Sequence, residues 1–255
     1  MNSIHLYTTY YHENNQDRKN ELEYCIEENL NNESIDSITI LNQDGDLSKF
    51  KSNKLVVLDV ESRPTFKNFI DCINKKYKNE NEINIIANTD IFFDINLRVI
   101  TYIDLTNKCF ALSRWEKVEY GYKLYNRKDS QDVWIFKGKI PSSLNCDYPV
   151  GVARCDNRFL YDLTNTGYIV KNPSFSIKAY HMHKNHMERE YKEEDNYYKI
   201  KGPYIYIRPH NLLNLINTVL FNMMHSLKLG TYVFDRRKIS ISNLLMRIKK
   251  ISRIK

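Results

Sequence analysis

The sequence has few of the residues that build long flexible linkers, and this limits how many domains it can contain. Only 7 of its 255 residues are glycine, whereas flexible linkers are rich in glycine and serine. A chain of this length fits one large domain, or one domain with a helical appendage. Hydrophobic residues make up 42% and charged residues 27% of the sequence, which is typical of a soluble globular protein with a sizeable core.

Cysteine is scarce, and long apolar runs are missing. The five cysteines include no Cys-x-x-Cys pair: Cys25, Cys72, Cys109, Cys146 and Cys155. This pattern indicates neither a disulfide framework nor a zinc ribbon, and a reducing cytosol is its natural compartment. No apolar run reaches the ~18 residues of a spanning helix, and the segment after Met1 is too short and too polar for a signal peptide. We therefore expect a cytoplasmic protein.

The net charge of +7 is concentrated near the C-terminus. Beyond residue 227 a single acid, Asp235, accompanies these basic side chains: Lys228, Arg236, Arg237, Lys238, Arg247, Lys249, Lys250, Arg253 and Lys255. In the same region these apolar residues recur at helical spacing: Ile241, Leu244, Leu245, Ile248 and Ile251. The pattern fits a helix lying on an anionic membrane, which would hold the protein peripherally on its inner face. It fits equally a helix packed on the protein with a solvated basic face.

Strand-like and helix-like patterns alternate over the first 90 residues. β-Branched and aromatic runs predict strands, and apolar residues at spacings of three and four predict helices between them. The predicted strands are residues 4–11, 37–41, 54–58 and 82–87, and the predicted helices are residues 17–30 and 65–77. This alternation indicates parallel crossovers and a doubly wound α/β sheet. Ligands bind beyond the carboxyl ends of the strands in such a sheet.

The second half of the chain has a different pattern, which favours an α+β arrangement. Residues 109–115 and 133–136 are strand-like, and a polar segment rich in tyrosine, residues 120–132, separates them. Residues 184–201 are dense in charge and tyrosine, which indicates an exposed excursion or lid. Residues 212–229 have the composition of a packed helix.

An acidic cluster follows the predicted strand 82–87. Asp90 and Asp94 flank the apolar step Ile91-Phe92-Phe93. Carboxylate oxygens of this kind bind Mg²⁺ or Mn²⁺, and a nucleoside diphosphate would complete the octahedron. Each aspartate could equally be a turn or helix-cap carboxylate.

At this point the sequence resembles the GT-A glycosyltransferases, whose Asp-x-Asp-like motif occupies the same location. Over roughly residues 1 to 185 the order of further blocks resembles that of glycosyltransferase-like bacterial and viral proteins. These blocks are Arg63-Pro64-Thr65-Phe66, Phe110 to Trp115, Ser130 to Phe136, Gly151 to Arg158, and Asn172-Pro173-Ser174 leading to His181-x-His183. Asn88 departs from the motif, since a strict Asp-x-Asp would have its first carboxylate there.

The resemblance implies an α/β fold with a Rossmann-like mixed sheet flanked by helices and a helical C-terminal extension. It implies a catalytic domain over residues 1–205, with a donor half at about 1–108 and an acceptor half at about 109–205, followed by the basic extension 206–255. The implied activity is transfer of a hexosyl or related group from a nucleotide sugar to a glycan or lipid-linked acceptor. A divalent cation would assist it, and polysaccharide biosynthesis would be the setting.

The resemblance also implies roles for individual residues. The acceptor-side base would be Asp132 or Asp156, with Asp132 favoured by its place beside Trp134. An aspartate that caps the following element, or a structural Asp156–Arg158 pair, is the alternative. The cation ligands would be Asp90, Asp94, His181 and His183. The nucleotide sugar would contact Thr8, Thr9, Tyr10, Arg63, Asn88, Asp90, Arg114 and Arg158.

Two other functions stay open at this point. The basic C-terminus and 19 tyrosines would suit a non-catalytic module that binds an anionic polymer such as nucleic acid. We favour the enzyme and expect no nucleic acid, because the sequence has no recognised nucleic-acid motif. The other function is a different nucleotide-using α/β transferase, such as a nucleotidylyltransferase, but its glycine-rich phosphate loop is missing.

Overall fold

The computed structural model describes residues 2–182 and 200–212, which form one mixed α/β structure. Its helices are α1 (Gln16–Asn31), α2 (Phe66–Lys76) and α3 (Cys155–Asn165), with a 3₁₀ segment at Ile95–Tyr102. Its strands are β1 (Ser3–Tyr11), β2 (Ser37–Gln43), β3 (Leu55–Asp59), β4 (Glu82–Ala87), β5 (Ile91–Phe93), β6 (Lys108–Leu112), β7 (Arg114–Val118), β8 (Gly121–Leu124), β9 (Val133–Lys137), β10 (Ile169–Lys171) and β11 (Ala179–His181). The strands and helices predicted for the first 90 residues are confirmed to within two residues at each end.

The first two helices begin where their capping residues place them. The side chain of Asn15 accepts a hydrogen bond from the backbone N–H of Arg18, which satisfies one free donor at the start of α1. Thr65 and Asn68 form a reciprocal capping box at the start of α2. The sequence Pro64-Thr65 therefore starts a helix, as the sequence pattern predicts.

The main sheet has seven strands in the order β3-β2-β1-β4-β9-β6-β10. All neighbouring pairs are parallel except those of β9, which is antiparallel to both β4 and β6. The mixed sheet flanked by helices that the resemblance implies is thus confirmed. Strands from both sides of residue 108 share this sheet, and the boundary between donor and acceptor halves stays a prediction.

The two faces of the main sheet carry separate hydrophobic cores. Leu6 points to one face, with Leu22 of α1, whereas Tyr7 points to the other, with Phe66 of α2 and Phe159 of α3. This follows from the alternation of side chains along a strand. The rings of Phe66 and Phe159 stack with centroids 4.0 Å apart, an arrangement that contributes about 0.5–1.5 kcal/mol beyond area burial.

A second, smaller sheet has the order β5-β11-β7-β8. The prediction of one strand over residues 109–115 is wrong, because the chain leaves the main sheet at Ser113 and enters the small one at Arg114. Ser113 is fully buried, and its backbone N–H donates to the hydroxyl of Ser174 at 2.8 Å. Its own hydroxyl donates to the carbonyl of Ser130 at 2.9 Å. These long-range bonds fix the corner between the sheets.

The predicted lid, apart from residues 200 and 201, and the predicted C-terminal helices beyond Leu212 lie outside the described residues. Residues 200–212 run as an irregular segment across the start of α3. No helix among the described residues is long and apolar enough to span a bilayer.

The order of the strands creates one topological switch point. From β1 the chain continues to β2 and β3 on one side, whereas β4 lies on the other side of β1. In open α/β sheets the connections that leave the two strands at such a point diverge, and ligands bind in the crevice expected between them, here at the carboxyl ends of β1 and β4. Residues 8–11 and 88–90 border this crevice.

Candidate functional site

The ends of β1 and β4 are joined by threonine hydroxyls. The Thr89 hydroxyl donates to the carbonyl of Thr9 at 2.6 Å, and the two hydroxyl oxygens lie 2.8 Å apart. The hydroxyl of the neighbouring Thr8 is buried and has no hydrogen-bond partner within the described part of the chain. The structure thus brings the predicted residues Thr8 and Thr9 to the segment that carries Asp90. Tyr10 differs, because its ring is in the core and its hydroxyl donates to Glu23 at 3.2 Å.

Asp90 is buried between a helix and the small sheet. Its Oδ2 accepts a hydrogen bond from Arg18 Nη2 at 2.6 Å and lies 3.2 Å from His181 Nε2. Burial would raise the pKa of the Asp90 carboxyl, but His181 and Arg18 outweigh it and hold the pKa well below its usual value. Asp90 is therefore a fixed negative charge at the edge of the crevice.

Arg18 was not predicted from the sequence. It lies in the first turn of α1, where the helix dipole disfavours a cation, and Glu21 binds the same guanidinium at 3.1 Å. Its partner Asp90 is 72 residues further along the chain. The only local signal is an arginine and a glutamate spaced by three on one face of α1.

Asp90 and His181 are the described residues that fit a divalent cation. They place one carboxylate oxygen and one imidazole nitrogen 3.2 Å apart. A cation of the magnesium type takes most of its remaining ligands from phosphates and water. Among the described residues, no group of three or more His, Cys, Asp or Glu side chains is placed to hold a metal. Arg18 already uses the same oxygen of Asp90.

The other two predicted ligands do not join this pair. Asp94 lies at the far end of β5, about 13 Å along an extended chain from Asp90, because β5 keeps the intervening residues extended. Its side chain accepts hydrogen bonds from the backbone of Asn96 at 2.9 Å and from the Tyr180 hydroxyl at 2.9 Å. Asp94 thus caps the 3₁₀ segment, as the structural alternative expected. His183 lies outside the described residues.

A second polar cluster lies directly beside the end of β4. Asn88 donates from its backbone to the Asp132 carbonyl at 3.0 Å and from its side chain to Asp132 Oδ1 at 3.0 Å. Arg114 Nη1 lies 3.2 Å from Asp132 Oδ2, and the other side of its guanidinium binds Glu116 at 3.0 Å. Burial lowers the pKa of Arg114, but the charges of Asp132, Glu116 and Asp90 raise it more. Arg114 therefore links the two clusters electrostatically.

Asp156 adds a second carboxyl to this cluster. It lies in the first turn of α3, and its Oδ2 accepts a hydrogen bond from the backbone N–H of Gln131 at 3.1 Å. Burial raises the pKa of Asp156 to about 6, and the charge of Asp132 acts in the same direction. Three backbone N–H groups, those of Gln131, Asn157 and Asp156 itself, oppose the shift. Asp132 is held by an arginine, whereas Asp156 has no cation in contact among the described residues.

Two predicted arginines lie elsewhere. Arg158 donates to Asp162 at 2.9 Å and to the carbonyl of Gly202 at 3.0 Å, so the interpretation that it pairs with Asp156 is wrong. The physical reason is helix geometry, since residues four apart share a face of α3 and residues two apart do not. Arg63 donates to the carbonyl of Val150 at 2.8 Å in the loop before α3, and it is exposed.

The site therefore combines residues from seven places in the sequence: 8–9, 18–21, 88–90, 114, 132, 156 and 181. Predicted residues that the structure brings to the crevice are Thr8, Thr9, Asn88, Asp90, Arg114, Asp132, Asp156 and His181. Predicted residues that it does not bring there are Tyr10, Arg63, Asp94 and Arg158. Arg18 and Glu21 are the additions.

Comparison with known proteins finds similarity in structure but not in sequence. No protein-family model matches the chain, and no curated protein sequence matches it. The chain is similar to the mannosyltransferase PcManGT from Pyrobaculum calidifontis, solved in complex with GDP-Man and Mn²⁺, with 10% identity and a TM-score of 0.48 over 73% of this chain. It spans 58% of the length of that enzyme.

Two further glycosyltransferases show weaker similarity. The galactosyltransferase LgtC, in complex with donor and acceptor sugar analogues, is 9% identical with a TM-score of 0.39, and the match covers 88% of this chain and 95% of LgtC. The apo glycosyltransferase GlyE from Streptococcus pneumoniae is 12% identical with a TM-score of 0.31, covering 53% of this chain and 34% of GlyE. These likenesses are too distant to transfer an activity, so the function is argued from the site itself.

Proposed function

We propose that this protein is a glycosyltransferase that moves a sugar from a nucleotide-sugar donor to a glycan or lipid-linked acceptor. The main support for the proposal is that two clusters, each with a carboxyl group of a different pKa, lie at one switch point. Asp90, with Arg18 and His181, is held permanently charged, whereas Asp156 has a pKa of about 6. Pairs of titratable groups whose environments separate their pKa values are typical of acid–base active sites.

The donor side has the groups that a nucleoside diphosphate requires. Arg18 and Arg114 offer guanidinium groups, which match phosphate geometry, and the hydroxyls of Thr8 and Thr9 lie at the end of β1. Asp90 and His181 would hold a divalent cation, which when bound supplies positive charge to the diphosphate. Positive charge at this point stabilises the negative charge that develops on the leaving group.

The acceptor side has the group that would take the proton. In its charged form Asp156 would accept the proton of the acceptor hydroxyl while that oxygen bonds to the anomeric carbon of the donor. The bond from the anomeric carbon to the phosphate oxygen breaks, and its electron pair leaves with the nucleoside diphosphate. A base whose pKa lies near the working pH is the most effective at such a step. This favours Asp156 over Asp132, which orients Asn88 and Arg114 instead.

A donor-hydrolysis screen tests the proposal. Purified protein would be incubated with UDP-, GDP-, dTDP- and CMP-sugars, with Mn²⁺ or with EDTA, and the released nucleotide measured. We expect one nucleotide class to be turned over, and the Asp90→Asn variant to lose that turnover. No turnover and no nucleotide binding under any condition would reject the proposal. Release of pyrophosphate from a sugar phosphate and a nucleoside triphosphate would instead identify a nucleotidylyltransferase.

A further inference from the structure

A positively charged surface with aromatic rings lies next to Asp156. We call it the basic rim and define it by Arg127, Lys128, Arg154, Tyr204 and Tyr206. The irregular segment 200–212 builds one side of it, since the backbone N–H of Ile207 donates to the carbonyl of Lys128 at 3.0 Å. The rim is therefore formed by three parts of the chain that are distant in sequence.

The tyrosine rings hold the cations of the rim in place. Lys128 Nζ lies 5.4 Å from the centroid of the Tyr206 ring, and the Arg154 guanidinium lies 5.8 Å from that of Tyr204. Arg154 Nη1 also donates to the Tyr206 hydroxyl at 3.4 Å. Both distances to the rings lie within the ~6 Å range of cation–π contacts. The rings thus position Lys128 and Arg154 without adding negative charge.

The rim has more positive than negative charge. Asp129 binds Arg127 at 2.8 Å and lies 4.0 Å from Arg154. The other acids of this surface, Asp132 and Asp156, belong to the polar cluster beneath it. The side chain of Arg127 is 54% exposed and that of Arg154 is 41% exposed, so both can reach a ligand in solvent. Asp129 alone does not neutralise the three cations of the rim, and an anionic ligand would neutralise the remaining positive charge.

Short contacts connect the rim to the proposed base. Arg154 precedes Asp156 by two residues at the start of α3. The carbonyl of Lys128 accepts from the Gln131 side chain at 3.3 Å, and the backbone N–H of Gln131 donates to Asp156 at 3.1 Å. A molecule bound on the rim would therefore lie beside the carboxyl that we propose takes the acceptor proton.

We propose that the basic rim is the acceptor subsite and that it selects a sugar carrying an acidic group, a carboxylate or a phosphate. This rests on the glycosyltransferase function proposed above. Arginine and lysine would bind the acidic group through charge-assisted hydrogen bonds, and the tyrosine rings would cover the apolar face of the sugar. The acidic group would orient the acceptor so that its hydroxyl faces Asp156.

Binding of simple probes tests the subsite independently of transfer. Methyl glucuronide and glucose 6-phosphate would be compared with methyl glucoside by saturation-transfer NMR, which needs no donor. We expect both acidic probes to bind more tightly than the neutral one. The Lys128→Gln/Arg154→Gln double variant should weaken the acidic probes about tenfold and leave the neutral probe unchanged. The matched control is Lys51→Gln/Lys117→Gln, which removes two exposed cations elsewhere and should bind as the wild type does.

The outcomes separate this proposal from the proposed function. Equal binding of acidic and neutral probes, or an equal loss in the control variant, overturns the acidic-acceptor subsite. Absence of donor turnover overturns the glycosyltransferase itself, whatever the probes do. If the double variant unfolds, Tyr206→Phe and Arg127→Gln are measured instead, and no weakening of the acidic probes in either rejects the subsite. Tighter binding of single-stranded oligonucleotide or anionic vesicles than of the acidic sugars also overturns it.

Discussion

The two sides of the crevice shift the pKa of a carboxyl group in opposite directions. On the side that we propose binds the donor, Asp90 is buried, but Arg18 and His181 keep its pKa below the usual value. On the side that we propose binds the acceptor, burial raises the pKa of Asp156 to about 6, and no cation among the residues that the structure describes contacts it. Loss of contact with solvent is therefore accompanied by a permanent charge on one side and by a titrating group on the other. The difference lies in the groups that contact each carboxylate. Asp90 contacts Arg18 of α1 and His181, whereas Asp156 accepts a hydrogen bond from the backbone of Gln131.

Neutralising each carboxyl should separate the two sides most clearly. We expect Asp90→Asn to lower donor hydrolysis and transfer together by a hundredfold or more, because the charge organisation at the diphosphate is lost. Asp156→Asn should lower transfer by about 10²–10⁴-fold, the range of a general base, and leave nucleotide binding intact. Steady-state kinetics with calorimetric nucleotide binding measures both. Equal loss of nucleotide binding in the two variants would contradict the division of roles.

Removing the partner of the buried charge should cost stability. Arg18→Ala leaves Asp90 and Glu21 without their guanidinium, and breaking such a buried pair costs on the order of 3 kcal/mol of the free energy of unfolding. Urea denaturation measures this. The matched control is Arg127→Ala, which breaks the exposed pair with Asp129 and should cost less than about 1 kcal/mol. Equal losses in the two variants would show that the Arg18–Asp90 pair stabilises the fold no more than the exposed pair does.

Asp156 should make stability depend on pH in the opposite direction to Asp90. Its pKa is raised in the folded state, so its ionisation destabilises the fold: the effect is absent below about pH 4, grows up to about pH 6 and is complete above it. Asp156→Asn should therefore stabilise the protein by about 2 kcal/mol at pH 8, somewhat less than the full shift in pKa implies, and have no effect at pH 3.5. Thermal melts at the two pH values measure this. A stabilisation that is equal at both would contradict the raised pKa.

The smallest expected effect concerns the basic C-terminal region, which stays a prediction because it lies outside the described residues. Each lysine or arginine near an anionic leaflet contributes about 1 kcal/mol to membrane binding. We expect the full chain to float with anionic liposomes and a truncation ending at Gly230 to float less. Flotation of both to the same extent, or of neither, would favour the alternative of a helix packed on the protein.

Local pattern predicted the strands and helices of the first 90 residues, but it missed the long-range pairing of residues. Strand β4 was predicted correctly because both its faces are buried and four of its six residues are apolar. The break at Ser113 was missed because hydrogen bonds to Ser130 and Ser174 create it. These partners are distant along the chain. The sequence of residues 109–115 therefore contains no signal that would reveal contacts with Ser130 and Ser174.

The site shows the same limit. Thr8, Asn88, Asp132 and Asp156 were predicted, since each lies near the end or the start of a strand or helix. Arg18 was missed, and Asp94 was given a role beside Asp90, for one reason. Whether two charged residues meet depends on the path of the chain between them, here an extended β5.

The most direct test of the account is the pH dependence of sugar transfer, measured as kcat/KM for the preferred donor and acceptor between pH 4.5 and 8. Because Asp156 must be ionised to accept a proton, the rate should fall tenfold per pH unit below an apparent pKa of about 6. The Asp156→Asn variant should be slow and lack this limb, whereas Asp132→Asn should keep it. A limb near pH 6 that persists in Asp156→Asn, or a wild-type rate that is flat across this range, would contradict Asp156 as the base.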